Sequence, residues 1–261
     1  QTHAPAVRRI TAEPPARSKP EAGGGKAFIR YSQTAYRGKK NMKAFVFDVE
    51  TTGLPVWDKP SDDPCQPRII QICAELFDDR IGTVIAGMNT IIRPDGWVIS
   101  DEIATLTGIT QDAAMEHGIP IDDALPMFMA MWGRAELRVA HNQSFDERMI
   151  RIELMRTRAE SISTPEVAEE WKGGVSYCTM RNAQKVMGVK KFPNLSEAFS
   201  HFTGSNMVNA HNAVADVYAC KRVYMALTAK SDPNAGAATV AIFQGSPAQT
   251  DVNKADLWPG A

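Results

Sequence analysis

The chain has 261 residues, 44% of them hydrophobic and 23% charged, with a net charge of -1. This balance is that of a globular protein and excludes collagen-like, coiled-coil and wholly disordered chains. The length, ~1.7 times the ~150-residue prior for one domain, fits one large domain with tails or two small ones. The longest apolar stretch, Ala124 to Trp132, contains Pro126 and falls well short of the ~20 residues of a membrane span, so no membrane partner is expected. Cys65, Cys73, Cys178 and Cys220 form no CxxC pair, which argues against a zinc ribbon or disulfide framework and makes a reducing, cytoplasmic setting the expectation.

Charge is unevenly spread. Residues 1 to 41 carry nine Lys or Arg against Glu13 and Glu21, about +7, while residues 42 to 261 carry 20 basic and 28 acidic residues, about -8. A body of that sign cannot hold a nucleic-acid backbone by bulk charge, so any such contact must be local or mediated by metal ions. The basic segment is rich in Pro, Gly, Ala and Arg, has no sustained apolar period and reads as a disordered N-terminal segment. Its composition fits a targeting presequence, sequence upstream of a start at Met42, or a basic arm for nucleic acid. Ser231 to Ala261 reads as a flexible C-terminal tail, which leaves 42–230 as the folded domain.

Within that domain strands and helices alternate. Continuous apolar runs at Lys43 to Val49, Arg68 to Phe77 and Thr83 to Ile92, separated by turn signals, predict three strands in an antiparallel meander. Leu125, Phe128, Met129 and Trp132 fall at helical spacing in a helix opened by Asp122. Leu137 to Ala140 is a short strand, followed by a helix over Phe145 to Thr157 with Arg148, Arg151, Arg156 and Arg158 at or near its exposed side. Val175 to Cys178 predicts a fifth strand. Helices follow at Met180 to Met187, at Asn194 to Phe202 with an Asn194/Glu197 capping box and a closing Gly204, and at Ala213 to Thr228. The pattern is α/β: a mixed five-stranded sheet covered by helices.

Three junctions carry chemistry. In Ala44-Phe45-Val46-Phe47-Asp48-Val49-Glu50, apolar residues on both faces mark a central strand, and residues two apart share a face, so Asp48 and Glu50 sit side by side at its C-terminal end. Two buried like charges there call for something positive. His141-Asn142-Gln143-Ser144-Phe145-Asp146 follows a strand and opens a helix, where an acid in the first turn also complements the helix dipole. His211-Asn212-Ala213-Val214-Ala215-Asp216 opens the last helix. At 100° per residue two helical residues five apart face ~140° away from each other, so His211 belongs on the loop before the helix if it is to reach the same centre as Asp216.

Together these motifs, Phe47-Asp48-Val49-Glu50-Thr51-Thr52-Gly53-Leu54, His141-Asn142-x-x-Phe145-Asp146 and His211-Asn212-Ala213-x-x-Asp216, resemble the DEDD superfamily of 3′-to-5′ exonucleases in its DEDDh branch. The chain is similar to the proofreading exonuclease subunit of bacterial DNA polymerase III and to phage-type relatives over about residues 43 to 228, with all five site positions intact. The resemblance implies a ribonuclease-H-like fold and a two-metal site. Asp48, Glu50, Asp146 and Asp216 would hold Mg²⁺ or Mn²⁺, for which hard oxygen ligands suit, and His211 would be the general base. Thr51, Gly53, Leu54, Asn142 and Phe145 would bind the terminal nucleotide, with core packing an equal alternative for Leu54 and Phe145. Local positive charge would come from Lys185, Lys190 and Lys191 or the arginines of the Phe145 helix. The acidic insert Asp58 to Asp63, the Glu160 to Lys172 stretch and both tails depart from the family pattern.

The expected function is metal-dependent 3′-to-5′ hydrolysis of single-stranded DNA ends with release of nucleoside monophosphates, in replication proofreading or repair. The alternatives are an exoribonuclease of the RNase T or oligoribonuclease kind, a catalytically silent interaction module and a structural metal protein. A replication polymerase or sliding clamp is a further expected partner, because Lys254-Ala255-Asp256-Leu257-Trp258 resembles clamp-docking peptides, although Lys254 replaces the usual glutamine.

Overall fold

The structure is a computed structural model and describes residues 42–207 and 212–229. The N-terminal segment 1–41, the C-terminal tail 231–261 with its Lys254 to Trp258 peptide, and His211 lie outside the described residues.

The strands β1 (Lys43–Thr51), β2 (Ile69–Asp78), β3 (Val84–Ile91), β4 (Leu137–Ala140) and β5 (Ser176–Cys178) form one sheet in the order β3-β2-β1-β4-β5. β1 pairs antiparallel with β2 and β2 with β3, which is the expected meander, while β4 and β5 join parallel to β1. The ribonuclease-H-like mixed sheet is therefore present as expected.

β1 is central, and its alternation assigns its neighbours. Phe45, Phe47 and Val49 enter one core with Phe128 and Trp171, whereas Ala44 and Val46 enter another with Val217, Cys220 and Tyr224. The first face is covered by α3 (Ile121–Trp132), α4 (Gln143–Arg156) and α5 (Pro165–Gly173), and the second by α8 (Ala213–Ala229). Trp171 is the keystone of the first: its ring meets Phe47 at 5.4 Å, Phe128 at 5.5 Å and Trp132 at 5.1 Å, all edge-on. The remaining helices are α1 (Asp101–Thr107), α2 (Gln111–His117), α6 (Thr179–Met187) and α7 (Leu195–Thr203). α7 carries the anticipated capping box, and Gly204 closes it in the left-handed region at φ 72°.

α1, α2 and α5 were not anticipated, and the Glu160 to Lys172 stretch is largely the helix that delivers Trp171 to the core. α3 opens at Ile121, and Asp122 in its first turn accepts the Thr157 hydroxyl at 2.6 Å and the Arg158 N–H at 2.9 Å, tying it to the end of α4. The arginines of α4 do not form a free basic face. Arg148 donates to the Lys59 carbonyl, Arg151 to Ser61, and Arg156 to the carbonyls of Pro67 and Gln66, so they fasten the insert after the first motif. Arg158 lies beyond α4 and pairs with Asp95 and Asp122.

Candidate active site

Beyond Val46 the β4 side of β1 is unpaired, because the parallel ladder ends at Val46 and Val139 while β1 runs on to Thr51. The opening lies at the C-terminal edge of the parallel strands, where α/β sheets bind ligands. Three elements meet there. β1 presents Asp48 and Glu50 on its α8 side, α8 contributes Asp216 from its first turn, and α4 contributes Asp146 from its own.

Oxygen atoms of Asp48, Glu50 and Asp216 lie within 4.8 Å of one another. Asp216 is placed because Ala213 and Val217 pack against the sheet, and because Asn212 caps the helix, its Oδ1 accepting from the Val214 N–H at 3.1 Å and its carbonyl from the Asp216 N–H at 2.9 Å. Asp146, only 2% exposed, accepts the N–H of Val49 at 3.3 Å. All four acids line one cleft of about 350 Å³ together with Thr51, Gly53, Leu54, His141 and Phe145.

The predicted nucleotide-binding residues divide. The Thr51 hydroxyl donates to the Gly53 carbonyl at 2.8 Å, which stiffens the turn that carries Leu54. Leu54 is 79% exposed, which rules out core packing for it, whereas Phe145 both lines the cleft and packs on the main core. Asn142 does not line the cleft. It stands at the entry to α4 with φ 58°, the one non-glycine residue with positive φ among the described residues, a conformation Asn tolerates.

Two features of the cleft were not anticipated. Ile103, Leu106 and Thr107 of α1 also line it, with Leu106 exposed. The available signal was Ser100 before Asp101-Glu102 and Gly108 after, a cap pair around apolar positions three apart. His141 also lines the cleft. Its Nε2 meets the Pro193 carbonyl at 3.1 Å, which can only accept, so that nitrogen carries the proton and Nδ1 faces the Thr179 hydroxyl at 2.9 Å. Burial pushes its pKa down to about 4, so the ring is neutral and tethers β4 to the loop before α7.

A family model described as Exonuclease, of the RNase T group, matches residues 45–224, which takes in every carboxylate of the cleft. The chain belongs to this exonuclease family. DNA polymerase III of the PolC type from Clostridium perfringens (strain 13 / Type A) is 39% identical over 111 residues, 42% of this chain and 7% of that protein. E. coli exonuclease I in complex with a dT13 oligonucleotide superposes with a TM-score of 0.52 at 20% identity, covering 73% of this chain and 41% of that one. The zinc-bound exonuclease I complex with single-stranded DNA gives 0.51 at 21% identity over 75% and 42%. The exonuclease chain thus spans less than half the length of these relatives, and the two structures speak to the fold.

Divalent metal use goes with membership of the exonuclease family, and the residues fit it. Burial, followed by the charges of Asp146, Asp216 and Glu50, holds the Asp48 carboxyl well above the usual carboxylate range. Burial and then Asp216 push Glu50 up to about 7, and burial dominates the raised Asp146 over the lowering effect of its backbone bonds. For Asp48, Glu50 and Asp146, burial and like charge outweigh what compensation the protein supplies. The neighbouring Cys73 and Cys220 thiols are held protonated by burial, so the donor set is oxygen alone, which suits a hard cation.

Proposed function

We propose that the chain is a 3′-to-5′ exonuclease that hydrolyses the terminal phosphodiester of single-stranded DNA and releases nucleoside 5′-monophosphates, using two Mg²⁺ or Mn²⁺ ions. The observation that carries this reading is the convergence of Asp48, Glu50 and Asp216 within 4.8 Å in an open cleft. The cleft volume of about 350 Å³ suits the end of a strand rather than a duplex running through. DNA is favoured because the Clostridium relative is a DNA polymerase and the exonuclease I structures hold single-stranded DNA. A place in proofreading or repair, in the cytoplasm, is part of the same proposal, and its support is that the relative is a DNA polymerase.

Asp48 is the carboxylate that feels all three other charges, so it would be the residue most central to holding the cations. Glu50 and Asp216 would hold a cation together with it, and Asp146 would help to hold a second. When bound, the cations supply Lewis-acid polarisation of the phosphodiester and neutralise charge developing on it. The chain does the rest. The turn Thr51 to Leu54 lays its backbone along the terminal nucleotide, with Leu54 and Phe145 against the base. His211, immediately before the Asn212 cap of α8, takes the proton of the attacking water. His141 cannot share that role, since both ring nitrogens are engaged.

The test is degradation of 5′-labelled single-stranded DNA, duplex DNA and RNA side by side, in Mg²⁺ or EDTA. A ladder shortening from the 3′ end of single-stranded DNA, abolished by EDTA, is expected. A faster ladder on RNA would transfer the activity to an exoribonuclease, and no metal-dependent product on any strand would overturn the reading.

A further inference from the structure

We propose that Trp57 is a stacking platform for an unpaired base of the substrate strand, placed outside the catalytic cleft. This rests on the nuclease reading above and assigns a role to the insert that follows the first motif.

Large aromatics are usually buried, yet Trp57 is 57% exposed at the corner of a turn closed by the Lys59 N–H on the Val56 carbonyl at 3.2 Å. The exposure is not that of a loose loop. Gln66, itself 3% exposed, accepts the Val56 N–H at 3.0 Å and donates to the Val56 and Pro60 carbonyls at 2.9 Å each. Arg148 adds a bond to the Lys59 carbonyl, and Arg151 one to the buried Ser61. The insert therefore spends its polar groups on holding a fixed shape, and that shape presents an indole to solvent.

Position supplies the second argument. Trp57 stands three residues beyond Leu54, which lines the cleft, and the Arg148 guanidinium sits over one face of its ring, 5.9 Å from the centroid. Arg148 in turn is three residues beyond Phe145 on α4, one turn along the same face, and Phe145 lines the cleft as well. Both chain paths lead from the cleft wall to the indole, which puts Trp57 within about 10 Å of chain from Leu54, outside the cleft lining itself.

Chemistry selects the ligand. The insert sets exposed Asp58 and Asp62 against exposed Lys59, so it does not attract phosphates by net charge, and the folded body is net acidic. What Trp57 offers is the π face opposite Arg148, which every base can use and which salt screens little. A duplex keeps its base faces inside its own stack, so the partner is a single strand.

Fluorescence anisotropy of a labelled dT20 oligonucleotide, in EDTA at low and at high salt, tests the platform apart from turnover. Trp57→Ala is expected to weaken binding about 5- to 20-fold, by the same factor at both salts, and Trp57→Phe to recover most of it. The KM on the same strand in Mg²⁺ should rise in step, with kcat unchanged. Equal binding of dT20 by wild type and Trp57→Ala overturns the platform, whatever the activity. Weakened binding by Trp57→Ala, with no hydrolysis by wild type, keeps the platform and overturns the nuclease reading instead.

Discussion

The Asp146 carboxylate accepts the backbone N–H of Val49 at 3.3 Å, joining residues 97 apart in the sequence at the point where β1 outruns β4. One side chain thus caps an open strand edge and places a charge beside Asp48. Asp146→Asn keeps an oxygen for the Val49 N–H but loses the charge. It is expected to fold with an unchanged or raised melting temperature and to lose at least ~10²-fold in turnover, whereas a purely structural Asp146 would leave turnover intact. Thermal unfolding and single-strand degradation on the same preparation separate the two.

The raised pKa of Glu50 makes stability depend on pH in a defined sense. A carboxyl whose folded pKa, about 7, exceeds its ordinary 4.5 binds protons more tightly when folded, so stability is greatest below 4.5 and declines until about 7. Other groups titrate too, so the useful quantity is the melting-temperature difference between Glu50→Gln and wild type without metal. That difference should grow in favour of Glu50→Gln from pH 4.5 to 7 and then level, and saturating Mg²⁺ should shrink it. A difference flat across this window would remove the charge conflict from the site.

Arg156 donates to the carbonyls of Pro67 and Gln66 at 2.8 and 2.7 Å and lies 3.9 Å from Glu153, which is 1% exposed. Glu153 also pairs with Arg68 at 3.0 Å and accepts the Ile69 N–H at 3.2 Å, although burial still leaves its pKa raised. Arg156→Ala should therefore cost about 1–3 kcal/mol and expose residues 58–67 to proteolysis and hydrogen exchange. Unchanged protection there would show that the insert holds itself.

How much of this was legible follows from where polar groups point. β1 was readable because its apolar residues fill both faces and Asp48 and Glu50 interrupt only one of them. The α7 cap was readable because Asn194 and Glu197 bond locally. α4 misleads because Glu153 and the arginines, which pattern reading places in solvent, turn onto β2 and the insert. α5 was missed because Glu-rich surroundings conceal a stripe of Val167, Ala168 and Trp171, and only the fold shows that the indole is fully buried. Trp171→Ala is accordingly expected to cost about 3–5 kcal/mol in chemical denaturation, a loss that a surface tryptophan would not produce.

His211→Ala should lower turnover roughly 10²- to 10⁴-fold with part of the loss recovered at higher pH, as removal of a general base does. Its metal affinity should stay near that of wild type, because the carboxylates of the cleft are untouched. A pH–rate profile with the shape of wild type would assign the proton to another acceptor.

The central claim is that four carboxylates form one metal site at which a strand is cut. It is tested most directly by titrating Mn²⁺ calorimetrically into wild type and Asp48→Ala and measuring 3′-end degradation on the same samples. Two Mn²⁺ per wild-type chain, sharply weakened binding by a folded Asp48→Ala, and loss of the ladder in parallel are the expected results. An Asp48→Ala protein that binds Mn²⁺ as wild type does, or shortens the strand at the wild-type rate, would contradict the account.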